Sequence, residues 1–268
     1  MKHRAVIRRR AFIAAGAALL ATPALLRAQP AGRLKVGVSA GPYGDILREA
    51  GKLARAQGIE AEIIEFTDWN LPNAALQAGD IDLNNFQHRP YLSAQAKARN
   101  YRIVPLDPSI VVPAGIYSSK VQRLADIPAG ARIAIPNDPS NAARALFLIQ
   151  EAGLIRLKAG ADVNATVLDV AENPRRIAFV ELDAAQLARS LDDVAAAFVT
   201  NNYAFLAGLD QKKALKLEGA DSLWTLVFAA REDRRDDPLI RRYIAHYRSP
   251  EVKAFIEKRF AGTILATW

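Results

Sequence analysis

Asn137-Asp138-Pro139-Ser140-Asn141-Ala142-Ala143-Arg144 reads as a strand end passing into a helix. Asp138 has the side chain of an N-cap, because its carboxylate can accept from the orphan amides of a first helical turn. Pro139 suits the first helical position, where its missing N–H costs nothing. Ala142, Ala145, Leu146, Ile149 and Ala152 follow at helical spacing, and Gly153 supplies a stop. Arg144 lies about 200° around the helix from Ala142, off the apolar stripe, and Asn141 precedes it by one turn on the same side. A guanidinium fork, a side-chain amide and a partly positive helix start thus converge beside a strand end, which suits a carboxylate or a phosphate. The same residues also fit a plain helix cap with a solvated arginine.

Outward from this run, short apolar strands alternate with amphipathic helices. Strands are predicted at Leu34–Ser39, Ala61–Phe66 and Ile81–Phe86, separated by helices at Asp45–Ala56 and Leu71–Ala78, with a further helix at Pro90–Arg99. Later strands are predicted at Arg132–Pro136, Thr166–Val170, Ala178–Leu182, Ala195–Thr200 and Leu223–Ala230, with helices at 139–152 and 184–190. Two helices, Pro238–Tyr247 and Pro250–Phe260, close the chain. This alternation predicts an α/β fold with mainly parallel sheets. Gly37, Gly41 and Gly44 follow the first strand without the spacing of a dinucleotide-binding loop and read as turn glycines. Phosphate-loop, zinc-protease and nucleophile-elbow motifs are absent from the sequence.

The 268 residues, 51% hydrophobic, suffice for one large core or two small ones. The formal charge of +8 is an N-terminal effect. Residues 1–28 hold six basic side chains and no acid, so the remainder carries 30 basic against 28 acidic groups. No basic patch for nucleic acid follows from that balance. A basic segment through Arg10 followed by the apolar Ala11–Leu26 reads as a signal peptide over 1–28, too short for a spanning helix of about 20 residues. Arg9-Arg10-Ala11-Phe12 fits a twin-arginine route and the general secretory route alike. The chain has no cysteine, which removes thiol catalysis, cysteine-held metals and a lipid-modified cysteine, and leads to the expectation of a freely soluble periplasmic protein. With only His88 and His246 beyond the signal, a histidine-rich metal site is excluded and no cofactor is expected.

Asn84-Asn85-Phe86-Gln87-His88-Arg89-Pro90-Tyr91 is placed at the carboxyl end of a predicted strand, where open α/β sheets hold ligands. Trp69 ends the neighbouring strand. Aromatic walls formed by Trp69, Phe86 and Tyr91, with His88 as a polar tip, suit an apolar tail or a thioether. Each aromatic taken singly also fits ordinary core packing. Phe198-Val199-Thr200-Asn201-Asn202-Tyr203 sets amides and a hydroxyl after another strand, where they would meet a polar ligand end or simply cap a loop.

These three runs, with Leu71-Pro72-Asn73, Gly79-Asp80-Ile81-Asp82, Glu172-Asn173-Pro174 and Leu191-Asp192-Asp193, resemble the methionine-binding proteins of ABC importers, the NlpA lipoprotein family, over about Leu34 to Trp268. The resemblance implies a two-lobed, type II-like periplasmic binding protein with ligand between the lobes. Lobe one would comprise 33–112 and 224–268, and lobe two 113–223. By the same resemblance Arg144 and Asn141 would take a ligand carboxylate. Trp69, Phe86, His88 and Tyr91 would enclose the side chain, with Tyr117 near the crossing. The family's usual Asn falls at Thr200, where Asn202 or Asn201 would compensate, and Trp69 stands where Tyr is more usual. The implied role is a monomer that captures an amino acid, methionine foremost, and delivers it to an ABC permease in the inner membrane. A dipeptide or another apolar or sulfur-containing amino acid is the alternative ligand. A periplasmic enzyme with His88 as base and Asp138 or Asp68 as its partner is the alternative role.

Overall fold

The computed structural model describes residues 32–219 and 223–268, so the signal reading of 1–28 lies outside the described residues. The first sheet begins with β1 (Gly32–Ser39), α1 (Tyr43–Arg55), β2 (Ile59–Phe66), α2 (Leu71–Ala78), β3 (Leu83–His88), α3 (Arg89–Arg99) and β4 (Ile103–Pro108). The chain then passes through β5 (Ile110–Val111) into the second sheet at β6 (Gly115–Tyr117). There follow β7 (Arg132–Pro136), α4 (Pro139–Glu151), β8 (Arg156–Leu157), β9 (Val170–Glu172), β10 (Ala178–Leu182), β11 (Ala196–Val199), α5 (Asn201–Leu206) and β12 (Lys216–Leu217). The return brings β13 (Leu226–Arg231), α6 (Pro238–Tyr247), α7 (Pro250–Phe260) and β14 (Leu265–Ala266) back to the first sheet's side.

The fold is two-lobed. One sheet has the order β2-β1-β3-β13-β4 and the other β10-β7-β11-β6-β12. Each is mixed. β1 runs parallel to β2 and β3, while β13, the returning strand, is antiparallel to β3 and β4. In the second sheet β7 is parallel to β10 and β11, and β6, the entering strand, is antiparallel to β11. The expectation of mainly parallel sheets therefore holds for the strands joined by local crossovers and fails at the strands that change lobes.

Both sheets are covered on two faces. Ile46, Leu47 and Ala50 of α1 pack with Tyr243 and Tyr247 of α6 and Ile256 of α7 on one face of the first sheet. Leu76 of α2 and Leu92 of α3 meet Ala229 on the other. In the second sheet Ile133, Ile135 and Phe198 pack under Leu146 and Ile149 of α4. The alternate residues Tyr117, Ala134, Ala197 and Val199 face Leu187, Leu191 and Tyr203. This period-two alternation assigns each side chain of the sheet to one layer.

Several local readings change. Thr166–Val170 is a 3-10 turn over Val167–Asp169 before the short β9, and 184–190 resolves into separate 3-10 turns. Asn201–Leu206 is a helix where a loop was the simpler reading. Of the three early glycines only Gly41 holds a positive φ, +125°; Gly37 lies within β1 and Gly44 within α1.

Candidate functional site

The Asn84–His88 run lies within β3, which begins and ends two residues later than the predicted Ile81–Phe86 and is buried along its whole length between β1 and β13. The Asn84 and Gln87 amides are satisfied internally, whereas Asn85 donates to Ser109 Oγ at 2.8 Å and leaves its Oδ1 buried without a partner among the described residues. Asn73 Nδ2 donates to Gln87 Oε1 at 2.8 Å, Gln87 Nε2 donates back to Asn73 Oδ1 at 2.7 Å, and Asn84 Nδ2 reaches the same oxygen at 3.0 Å. A satisfied polar network of this kind makes a central strand of asparagine and glutamine tolerable, since unpaired buried amides are costly. The pairing with β13 slips by one residue at Phe86: Gln87 faces Val227 and Asn85 faces Phe228. A bulge re-aims side chains. Here it lets three consecutive residues, Phe86, Gln87 and His88, line the same cleft, which a regular strand forbids.

That cleft is a narrow cavity between the lobes. From the first-sheet side its walls are Trp69, Phe86, His88 and Tyr91, all anticipated, together with Tyr43, Gln87 and Leu226. From the second-sheet side they are Asn141, Arg144, Thr200 and Asn202, also anticipated, with Val112 at the crossing. Tyr117 is the exception: it is buried in the second lobe's core and does not line the cleft. Its ring shares the sheet face of Ala134, Ala197 and Val199, so the register of β6 aims it away.

The lobes touch around the cavity. Trp69 stacks on Tyr203 with ring centroids 5.1 Å apart, and Tyr203 Oη donates to the carbonyl of Thr67 at 3.2 Å. Tyr91 stands edge-on to Trp69 and to Phe86, at 6.1 and 5.9 Å, and its hydroxyl donates to Trp69 O at 3.1 Å. The Trp69 indole N–H is buried without a hydrogen-bond partner among the described residues, which leaves a donor at the cavity wall.

His88 caps α3. Its Nδ1 accepts from Tyr91 N at 3.2 Å, so the proton of the neutral ring resides on Nε2, which donates to Asn141 Oδ1 at 3.2 Å. Asn141 Nδ2 then donates to the Asp138 carboxylate at 3.1 Å. The chain of bonds runs from α3 in one lobe to the start of α4 in the other. Burial, and secondarily the nearby Arg144 charge, pushes the His88 imidazole down to about 3. Folding thus excludes a proton that the unfolded chain accepts below its ordinary 6.5. The stabilisation is complete above that value and is lost as pH falls from 6.5 toward 3. Urea titrations are expected to show stability declining over pH 6.5 to 5 by about 1 kcal/mol per pH unit from this residue alone, while ring-nitrogen NMR shows His88 still neutral. A charged ring at pH 6 would contradict this. Burial also raises the phenols of Tyr43 and Tyr91 far above their usual range, so both remain donors.

The start of α4 keeps its predicted cap: Asp138 accepts from Asn141 N at 3.0 Å, with Pro139 in the first turn. The helix N-terminus therefore carries its own carboxylate. Arg144 is 3% exposed and reaches the crossing between lobes. Its Nε donates to Glu218 Oε1 at 2.6 Å, and its Nη2 to Glu218 Oε2 at 2.5 Å and to Val112 O at 3.1 Å. The guanidinium also lies 5.7 Å from the Trp224 ring, which in turn stands edge-on to His88 at 5.0 Å. Glu218, Trp224 and Tyr43 were missed by sequence reasoning. Tyr43 carried a usable signal, since it follows the carboxyl end of β1. Glu218 and Trp224 carried none, because only the return crossing brings them to Arg144.

The model of the NlpA lipoprotein family matches residues 34–268. The chain belongs to the NlpA lipoprotein family. It is 41% identical to the D-methionine-binding lipoprotein MetQ of Yersinia pestis over 96% of this chain and 97% of that protein. It is 39% identical to outer membrane lipoprotein 3 of Mannheimia haemolytica over 88% of this chain and 90% of that one. Among solved structures it resembles a nutrient binding protein from Burkholderia cenocepacia bound to methionine, with a TM-score of 0.84 and 47% identity, covering 88% of this chain and all of that chain. Membership of the NlpA family corrects one expectation. The family and the Yersinia pestis and Mannheimia haemolytica relatives are lipoproteins by name, which indicates a lipidated, membrane-anchored protein, and not the freely soluble periplasmic form expected here. That expectation rested on one negative feature, the missing cysteine, which does not outweigh the family.

Proposed function

We propose that this NlpA-family protein is the substrate-binding component of an ABC importer that captures methionine and delivers it to a permease in the inner membrane. The observation that carries the reading is the cleft itself: an aromatic box of Trp69, Phe86 and Tyr91 at one end and the Arg144 guanidinium at the other. A thioether side chain fits the rings, and an α-carboxylate fits the cation. The relatives named for D-methionine and the methionine-bound neighbour support the same ligand. In this reading Asn141, Thr200 and Asn202 order the polar end of the ligand, and Thr200 Oγ1 already donates to Asn202 Oδ1 at 3.1 Å. One lobe comprises 33–112 and 224–268 and the other 113–223, with the chain crossing first between β5 and β6 and returning between β12 and β13, and the lobes close about those crossings.

Both lobes of one chain contribute walls to the cavity, which supports a monomer. His88 supports binding over the enzymatic alternative. Both its ring nitrogens are committed, and its basicity is far below what a general base needs near neutrality. Thermal denaturation with L- and D-methionine tests the proposal. Either enantiomer at 100 times its dissociation constant is expected to add about 2.7 kcal/mol, a rise of roughly 5–10 °C for a protein of this size. No rise with either enantiomer or with methionine dipeptides would refute it.

A further inference from the structure

We infer that Glu218 is a specificity-determining residue, which restricts the Arg144 end of the cleft to ligands that carry an ammonium group along with their carboxylate. The inference rests on the proposed amino-acid-binding role. Arg144 is the one charged side chain among the described residues lining the cavity, and read alone it would make an anion site. Glu218 cancels it. The two side chains are 3% and 8% exposed, and the carboxylate takes two parallel bonds from Nε and Nη2.

Glu218 approaches from the side away from the cavity. It is absent from the cavity wall and is held there by the Ala114 amide, which donates to Oε2 at 2.8 Å. Val112 O holds the same Nη2. The guanidinium plane is thus fixed by groups from both crossings, and Nη1, which makes no hydrogen bond to a described residue, is left available to a ligand in the cleft that Arg144 lines. Buried charges interact through a low effective dielectric. A ligand carboxylate placed on Nη1 meets Arg144 with its charge already balanced, and adds a net negative charge to a site where His88 is neutral. A zwitterion brings its own compensating ammonium. A carboxylic acid lacking that group does not, and is rejected although it makes the same contact with the guanidinium.

The test compares L-methionine with 4-(methylthio)butanoate, the same molecule without its amino group, by calorimetry on the wild-type protein and on Glu218→Gln. Glutamine keeps the length and one acceptor while removing the charge. The wild type is expected to favour L-methionine at least 100-fold, and Glu218→Gln to reduce that ratio at least tenfold by binding the butanoate more tightly. A folded Glu218→Gln variant whose ratio stays within twofold of the wild type overturns the inference. If the variant does not fold, the wild-type ratio decides: butanoate binding within tenfold of L-methionine overturns it, and a ratio above 100 supports it. Failure of the wild type to bind L-methionine would instead remove the proposed function itself. A purely structural Glu218 would change stability and leave the ratio between the two ligands alone.

Discussion

Arg144→Leu is expected to abolish binding of methionine in calorimetry and to lower stability by about 3–5 kcal/mol in urea titration, because it strands the Glu218 carboxylate, 8% exposed, without its partner. Breaking a buried pair costs far more than the pair itself contributes, since desolvation of the surviving charge is no longer offset. Two effects are superposed, and a double variant separates them. Arg144→Leu with Glu218→Leu removes both charges, packs leucine against Phe198 and Trp224, and is expected to recover most of the lost stability. It should recover none of the binding, because no cation remains for the ligand carboxylate. A single Arg144→Leu variant that folds and binds within tenfold of the wild type would remove Arg144 from the binding machinery.

Trp69→Ala is expected to weaken binding at least thirtyfold while costing little in the ligand-free protein. The ring is only half-buried, yet it does three things at the cleft. It walls the apolar end, stacks across the lobes on Tyr203, and carries a buried N–H without a partner among the described residues. An aromatic anchor at such a position is worth about 2 kcal/mol or more in binding, and a contact made between lobes counts only when the cleft is shut. Calorimetry should therefore show a large loss of affinity, with the midpoint of ligand-free melting lowered by a few degrees at most. A loss of stability as large as the loss of binding would mean that Trp69 serves the core instead of the cleft.

The cleft was unevenly legible in the sequence. Trp69, Phe86, His88 and Tyr91 could be named because aromatic and polar residues cluster within short runs at adjacent strand ends, and local spacing reports such clusters. Tyr117, which only the family resemblance suggested, points away from the cleft, because a run of residues does not state which face of its strand is turned inward. Gln87 and His88, the last two residues of β3, fall beyond the strand end predicted at Phe86 for a related reason. Consecutive amides look solvated until the partners that satisfy them, Asn73 and the bulged β13, are in place. Asn201–Leu206 was short enough that its helical bonds depend on where β11 delivers it.

By itself the sequence determined the alternation of strands and helices, the Asp138 cap and Pro139 start of α4, and the aromatic character of one end of the site. All of these follow from side chains a few residues apart, whose interactions are settled by backbone geometry alone. Only the tertiary structure decided what Arg144 faces. The helix start that reads as a site for a free anion carries the Asp138 carboxylate, and the guanidinium one turn later is already shared with Glu218, 74 residues away in sequence. A charge is set by everything packed around it, and the groups that set this one arrive by two separate crossings of the chain between the lobes.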